Sequence, residues 1–408
     1  EELSAASALT FHPLRCVTRL NVPRALTFAV ANAANTPHGG ELSLALTLAE
    51  GTTRSLAPYR LDIPSGGRVL VSVSPEGIPP GEHVLEARSK GRLVMSMPVL
   101  VMAPLSREAP GQLSLEQVLD IDLARESSPG ELADDGTSRV VDGPAGRYLE
   151  AGPRQHSRFV VRLPLRRTGR HIVRVRYPDD RARSCEIATW SPAKDDRYNA
   201  HTGYLCGDPL PVSGTMQTFD FVMWARDTSQ CLVFTSWLEG QPAAAARIQV
   251  FEQSGRLPAA AFAASASQRL IGHYWEDAQP MSRCFSGGKP ELGDFERAAN
   301  EMCDYLDYSG QNLVMHPLVW YEGPIYNSLA EARGGKGGFH MPTEGWVDIL
   351  LERFEERDFT FFGLFNVHEL PSLVRATEDS FERVVAGAGT FNTVTRQNDL
   401  LVKTWHHQ

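Results

Sequence analysis

The period of the hydrophobic pattern changes near Arg269, and this change constrains the fold more than any other feature of the sequence. Before it, short apolar runs alternate with polar residues between turns, as half-buried strands do. In one such run Val173 and Val175 share one face of a strand, whereas Arg174 and Arg176 share the other. After it, apolar residues recur at helical spacing. The sequence therefore predicts β-sandwich domains followed by a segment in which strands and helices alternate.

Residues 1–105 predict the first of these sandwiches. Short strand-like runs, such as 25–30 and 69–73, are separated by turns rich in Gly and Pro, and the chain has 34 Gly and 27 Pro. About seven strands in roughly 100 residues is typical of an immunoglobulin-like sandwich. We assign residues 1–105 to that class and find no catalytic pattern in them.

Residues 106–135 are predicted to be an acidic linker with helical character, and residues 136–256 a second all-β domain. Within it the runs 147–151, 157–161 and 169–177 resemble the jelly-roll carbohydrate-binding modules. In that family an early strand containing Glu precedes a Gly-x-Tyr-x-apolar-x-apolar-Arg-Tyr strand, and His171 stands here where the family usually has Tyr or Trp. The resemblance implies a jelly-roll sandwich that binds carbohydrate.

Residues 269–408 predict three strands, at 270–275, 312–320 and 359–366, separated by helices at about 294–308 and 343–357. This order is that of parallel βαβ units. Three units are roughly half of a (β/α)₈ or TIM barrel, which needs about 250 residues. We therefore expect the N-terminal part of a TIM barrel that continues beyond Gln408. A small open α/β domain is the alternative.

The first of the two helices has clear end signals. Asp294 is placed to cap its start and Gly310 to end it. Apolar residues at helical spacing give it one buried face. These residues are Phe295, Ala298, Ala299, Met302, Tyr305 and Leu306.

Aromatic, carboxylate and imidazole side chains cluster at the ends of all three predicted strands. In parallel barrels the functional site lies at those carboxyl ends. Rings can stack on the apolar faces of a pyranose while charged and polar groups bond its hydroxyls. The residues are Tyr274, Trp275, Glu276 and Asp277; then His316, Trp320, Tyr321 and Glu322; then Asn366, His368 and Glu369.

We expect one cavity to be lined by members of all three groups, namely Trp275, Glu276, His316, Trp320, His368 and Glu369. The competing arrangement places Trp275 and Trp320 in the apolar layer between strands and helices, with the carboxylates in solvent.

The order of sandwiches followed by a barrel resembles large modular bacterial glycoside hydrolases. That resemblance implies hydrolysis by two carboxyl groups, which in the family usually follow the fourth and seventh barrel strands, and neither strand is present here. Glycoside cleavage needs carboxyl groups about 5 to 9.5 Å apart. Glu276 and Glu369 are the catalytic candidates among the residues given, and the other strand-end residues are assigned to substrate binding. Little glycosidase activity is expected of residues 1–408.

Ten arginines between residues 154 and 183 form a basic stretch in the second β-domain. One interpretation is the solvated face of two strands. The other is a groove for an anionic polysaccharide, in which guanidinium groups pair with uronate or sulfate.

Several function classes find no support in the sequence. The formal net charge of −9 disfavours a nucleic-acid partner, and no run of about 18 apolar residues predicts a transmembrane segment. The six cysteines have no CxxC spacing, and the histidines lack close metal-ligand spacing. The glycine-rich run at 333–338 lacks the ending of a P-loop. We predict no metal and no cofactor.

The sequence thus predicts a secreted or cell-surface carbohydrate-active protein, with any signal peptide outside the given residues. The preferred function is glycoside hydrolysis. The partner is a polysaccharide or oligosaccharide, with an anionic one left open. The alternatives are a non-catalytic glycan-binding or adhesion protein and a degenerate barrel kept as a scaffold.

Overall fold

The computed structural model describes residues 9–105, 114–125, 132–191, 201–207, 210–255, 257, 260, 269–275, 284–286, 291–320, 323–329 and 345–365. Within them the protein is mostly β-structure in several sheets. The chain forms two compact units. The first comprises residues 1–107, 260–279 and 290–408, and the second comprises residues 108–259 and 280–289. The domain limits expected from the sequence remain a proposal.

The first unit begins with two sheets. One has the order β1-β3-β7, and the other the order β2-β9-β8-β4-β5 with β6 paired to β4. The strands are β1 Leu9–Arg15, β2 Val17–Arg19, β3 Leu26–Asn32, β4 His38–Thr47, β5 Thr53–Ser55, β6 Tyr59–Ile63, β7 Arg68–Val73, β8 Gly81–Ser89 and β9 Arg92–Met102. Alternation places one face of each main strand in the core; in β6, Leu61 and Ile63 are buried while Arg60 and Asp62 are exposed.

The second unit is built from antiparallel strands in three sheets, with the orders β10-β21-β15-β18, β11-β14-β19-β16-β17 and β12-β13-β20. The strands are β10 Ser114–Asp122, β11 Leu132–Asp134, β12 Arg139–Gly143, β13 Gly146–Glu150, β14 Arg158–Pro164, β15 Gly169–Asp179, β16 Arg183–Trp190, β17 His201–Cys206, β18 Thr215–Ala225, β19 Ser229–Ser236, β20 Ala244–Ala245 and β21 Arg247–Ser254. The two larger sheets share one core, in which the rings of Phe159 and Phe234 stack at 4.7 Å.

Residues 114–122, expected in a linker, instead form strand β10 and pair with β21 along its length. The segment forms a strand because of its tertiary contacts with β21. The acidic side chains of this segment point outward, and Arg247 of β21 donates to Asp120 at 2.6 Å. The isolated segment has no strong strand pattern, so its conformation depends on the partner strand.

The first unit also contains parallel strands and helices. β22 Gly272–Tyr274 and β25 Thr360–Phe365 pair in parallel with the two sides of β23 Leu313–Trp320, and β24 Gly323–Pro324 returns antiparallel to the end of β23. Helix α1 Leu292–Ser309 lies between β22 and β23 in sequence, and helix α2 Trp346–Arg357 precedes β25. The parallel pairing predicted from the sequence is confirmed, whereas the partial TIM barrel remains a proposal.

The end signals of α1 are only partly as predicted. Gly310 ends the helix in the left-handed conformation, at φ 71°, and its N–H bonds the carbonyl oxygens of the last turn. The start is different, because Glu291 occupies the cap position. Asp294 is buried inside the first turn and accepts from Arg297 at 2.5 Å. The helix therefore begins two residues before the predicted cap.

Helix α2 packs against the first sandwich through buried charges. The carboxylate of Glu352, 1% exposed, accepts from Arg19 at 2.7 Å and from Arg24 at 2.8 Å. Arg353 donates to the carbonyl oxygen of Ala103 at 2.9 Å. Gly345 precedes the helix at φ 85°, and a Cβ there would lie 2.3 Å from Sγ of Cys16. The approach of the chain to β2 therefore requires glycine at this position.

Candidate functional site

An open groove of about 680 Å³ lies on the outer face of the four-stranded sheet of the second unit. Alternation along β15 buries Val173 and Val175 in the core and turns Arg174 and Arg176 outward. The neighbouring strands β18 and β21 supply the rest of the lining. We call this the arginine groove, defined by Arg174, Arg176, Thr218, Phe219, Asp220, Arg247 and Gln249.

Arg174 is held in place from two sides. Its Nε and Nη2 atoms donate to the two carboxylate oxygens of Asp220 at 2.8 and 2.9 Å, a bidentate pair across β15 and β18. Its guanidinium carbon also lies 5.3 Å from the ring centre of Phe251. The hydrogen bond and charge of Asp220 raise the pKa of Arg174 above its usual value. Arg174 and Asp220 therefore form one polar side of the groove with a fixed geometry.

Arg247 is held in the same way on the other side. Its Nε atom donates to Asp120 at 2.6 Å, and its Nη2 to the second oxygen at 2.5 Å. The hydrogen bond from Arg247 is the main cause that lowers the pKa of Asp120. The amide nitrogen of Gln249 donates to Gln117 at 3.0 Å.

Arg176 differs from the other two arginines of the groove. It lies opposite Thr218 on β18 and opposite Arg247 on β21. Its side chain is exposed. Among the described residues no carboxylate pairs with its guanidinium, so its five N–H donors are directed to solvent.

The groove offers donors and acceptors together. Arginine N–H groups donate, Asp220 accepts, and Thr218 and Gln249 do both. A sugar hydroxyl is itself both a donor and an acceptor, so this face of the sheet can hydrogen-bond to several neighbouring hydroxyl groups. The arrangement can therefore bind a polar, extended ligand in a site open to solvent.

The rest of the arginine run serves other purposes. Arg183 is fully buried and donates to Glu150 at 3.0 Å, to Asp180 at 2.9 Å and to the hydroxyl of Tyr148 at 2.9 Å. Arg166 and Arg167 pair with Glu116 and Glu252 at 3.2 and 3.0 Å. Most of the run is structural or solvated, and only two of its members line the groove.

The sequence named Arg174 and Arg176 in the basic stretch but did not identify their partners in the groove. Thr218, Asp220, Arg247 and Gln249 lie on strands distant in sequence, and nothing in the local pattern distinguishes them. They could have been identified as the outward-facing positions of the alternating pattern in β18 and β21. Combining the faces requires the strand order, which the sequence does not state.

Of the strand-end residues predicted to form a site, the structure describes the surroundings of three. Tyr274 is 45% exposed. The backbone carbonyl of Trp275 accepts from Nδ1 of His316 at 2.5 Å. The His316 ring is 1% exposed and meets the ring of Trp346 on α2 edge-on at 4.7 Å, so it lies on the helix side of the sheet. Burial lowers the pKa of His316 to about 4, and the imidazole is neutral at pH 7.

The other predicted site residues lie outside the described residues or have side chains outside them. The backbone of Trp320 ends β23, and its side chain is among those not described. The shared cavity stays a prediction. Outside the described residues are Glu276, Asp277, Tyr321, Glu322, Asn366, His368 and Glu369, together with the glycine-rich run at 333–338.

Three further observations bear on the chemistry. All six cysteines lie in the described part of the chain, and no disulfide joins any two of them. Across the same part, no group of three His, Cys, Asp or Glu side chains is arranged to hold a metal ion. Neither described helix combines the length and apolar character needed to span a bilayer.

Comparison with known proteins gives structural matches of low similarity. A β-glucuronidase from Bacteroides uniformis matches with a TM-score of 0.21 and 10% identity, over 59% of this chain and 29% of its own. CBM35 from Cellvibrio japonicus Abf62 matches with a TM-score of 0.20 and 16% identity, over 31% of this chain and 94% of its own.

The alkylpurine DNA glycosylase AlkC from Pseudomonas fluorescens, bound to DNA with an abasic site analog, matches with a TM-score of 0.20 and 16% identity, over 24% of this chain and 31% of its own. The chain thus spans less than a third of the β-glucuronidase and of the DNA glycosylase. TM-scores this low carry no argument about fold or function. No protein-family model matches the sequence, and no curated protein matches it significantly.

Proposed function

We propose that this chain is the glycan-binding part of a carbohydrate-active protein and that the arginine groove holds the glycan. The observation that carries the proposal is the row of outward polar side chains from β15, β18 and β21 around one open groove of about 680 Å³. Charged and amide groups provide both the donors and the acceptors that hydrogen-bond to sugar hydroxyls. The resemblance of β13 to β15 to jelly-roll carbohydrate-binding modules supports the same assignment.

The groove is suited to binding rather than to bond cleavage. The two carboxylates that pair with its arginines, Asp120 and Asp220, are each held by bidentate bonds. A general acid needs a raised pKa and a proton to give, and Asp120 has its pKa lowered.

The test is to fill the groove. Thr218 is exposed on β18, so Thr218→Trp is expected to leave the fold intact while occupying the space of the ligand. Binding of residues 1–408 is measured on a glycan array and then by calorimetry with the best ligand. The expected result is a loss of about tenfold or more in affinity, equal to about 1.4 kcal/mol.

The matched control is Ser72→Trp, at an exposed strand position of the first sandwich. It should bind like the parent protein. If Thr218→Trp also binds like the parent, the groove is not the glycan site.

A second candidate function is glycoside hydrolysis by the α/β segment of an exported, modular enzyme. The observation in its favour is that β22, β23 and β25 are parallel and lie side by side in the order of the sequence, as strands do at the start of a (β/α) barrel. Its catalytic candidates, Glu276 and Glu369, stay proposals.

Activity of residues 1–408 on aryl glycosides and polysaccharides tests this candidate. We expect little or no turnover. Robust turnover that is lost in Glu276→Gln or Glu369→Gln would assign the chemistry to these strands. If the strand-end cavity binds glycan, Trp320→Ala should weaken binding by roughly 1–3 kcal/mol, and an unchanged affinity would remove Trp320 from the site.

A further inference from the structure

The arginine groove contains two like charges directly opposite each other. Arg176 on β15 and Arg247 on β21 are cross-strand partners on the same outward face. Like charges in this position are unfavourable by themselves. Asp120 compensates Arg247 through two hydrogen bonds. No described residue does the same for Arg176.

The charge of the groove follows from this arrangement. Three arginines, Arg174, Arg176 and Arg247, face two aspartates that pair with them, Asp120 and Asp220. Asp122 lies opposite Arg247 on β10, but it pairs with Arg125 at 3.1 Å, so one positive charge stays in excess. That charge is located at Arg176. A guanidinium group presents parallel N–H donors whose spacing matches the two oxygens of a carboxylate, as the bonds of Arg174 to Asp220 already illustrate in the same groove.

We propose that the arginine groove selects acidic glycans and that Arg176 binds the carboxylate of a hexuronic acid. This inference rests on the proposed glycan-binding function and names its substrate class. One bound carboxylate neutralises the excess charge and reduces the electrostatic repulsion between Arg176 and Arg247. A neutral sugar leaves that repulsion in place.

A singly charged carboxylate fits the groove better than a heavily sulfated chain. Several sulfates within the groove would approach the carboxylates of Asp120 and Asp220, which bidentate bonds to arginine hold in place. Repulsion from these two groups offsets the attraction to Arg176. Sulfated glycans are therefore expected to bind more weakly than uronates.

The experiment uses residues 1–408 and matched pairs of polysaccharides. Polygalacturonate, alginate and glucuronoxylan are compared with their methyl-esterified or carboxyl-reduced forms, which keep the backbone and lose the charge. Dextran sulfate is included to compare a sulfated polysaccharide with the uronates. We expect the charged uronates to bind about tenfold or more tightly than their neutral forms, as a charge-assisted bond implies. The preference should decrease with added salt.

Two substitutions assign the preference to a residue. Arg176→Gln should remove the preference for the charged form, and Arg176→Lys should restore part of it because the charge returns without the planar fork. Arg162→Gln is the matched control, since Arg162 is exposed on β14 in the opposite sheet. It removes the same charge and should leave the preference unchanged.

The outcomes separate the two proposals. Equal binding of charged and neutral forms, or a preference that survives Arg176→Gln, overturns the acidic specificity and leaves glycan binding intact. Tightest binding of dextran sulfate overturns the assignment to carboxylate. Absence of binding to every polysaccharide overturns glycan binding itself, and the specificity with it.

Discussion

The Nε atom of Arg19 lies 2.7 Å from Oε2 of Glu352, and both side chains are buried although 333 residues separate them. Arg24 donates to the other oxygen of Glu352 at 2.8 Å. The first sandwich and helix α2 thus share one buried ionic contact within the first unit. A buried carboxylate of this kind is costly unless every partner is present.

Glu352→Gln is therefore expected to destabilise the first unit by roughly 3–5 kcal/mol, because the buried charge of Arg19 would lose its buried counterion and keep only the exposed Glu355. Urea unfolding followed by hydrogen exchange of α2 measures the effect. Glu355→Gln is the control. Glu355 accepts from the same arginines, but its side chain is 53% exposed, and its loss should cost about 0–1 kcal/mol. Similar costs for the two variants would contradict the buried-charge account.

The second unit has a comparable buried centre at Arg183. Arg183→Ala would leave Glu150 and Asp180 close together and without their shared cation, and we expect a loss of roughly 3–5 kcal/mol in the free energy of unfolding of this unit. Arg181 also pairs with Glu150 but is 49% exposed. Arg181→Ala should cost about 1 kcal/mol or less. Thermal unfolding of both variants decides the point, and an Arg183→Ala protein as stable as Arg181→Ala would refute it.

The stability of the first unit is expected to depend on pH because of Asp348 on α2. Burial raises the pKa of Asp348 from its usual value of 3.8 to about 6; Glu352 adds to this, while Arg15 and Arg24 oppose it. A folded-state pKa above the unfolded value means that the native state favours the protonated acid. Its favourable contribution is therefore present below about pH 4 and is lost as the pH rises to about 6.

Asp348→Asn removes this penalty. The variant should be more stable than the parent at pH 7, by about 1–3 kcal/mol, and the difference should shrink as the pH falls to about 4. Urea midpoints at several pH values measure it. A difference that does not change with pH would contradict the assignment.

His316 should behave in the opposite direction. Burial lowers the pKa of His316 to about 4 from its usual value of 6.5, so its contribution is present above about pH 6.5 and is lost as the pH falls to about 4. In an NMR titration, its ring signal should not shift between about pH 5 and pH 8, where an ordinary histidine titrates. The signal is identified by its absence in His316→Phe. A midpoint near 6.5 would show that the ring is solvated.

Much of the local structure follows from the sequence. The alternation that buries Val173 and Val175 also turns Arg174 and Arg176 outward, and both facts could be predicted from seven consecutive residues. The helical face of α1 and its end at Gly310 were likewise predicted, because periodicity and a left-handed cap are local properties. The parallel pairing of β22, β23 and β25 followed from the order of strands and helices.

The site required more than local pattern. Arg174 meets Asp220 and Arg176 meets Arg247 because β18 and β21 lie on the two sides of β15, and strand order is set by long-range packing. His316 was predicted at a strand-end site, and the structure places its ring against Trp346 of α2.

The sequence by itself determined strand β15, helix α1 and the apolar face of each, since these depend on neighbours a few positions away. Only the tertiary structure decided that residues 114–122 form a strand, that Glu352 is buried beside Arg19, and that a single arginine of the groove lacks a carboxylate. The physical reason is that pairing, burial and net local charge depend on which distant segments are brought together. Ion pairs between residues far apart in the chain leave no periodic signal in either segment.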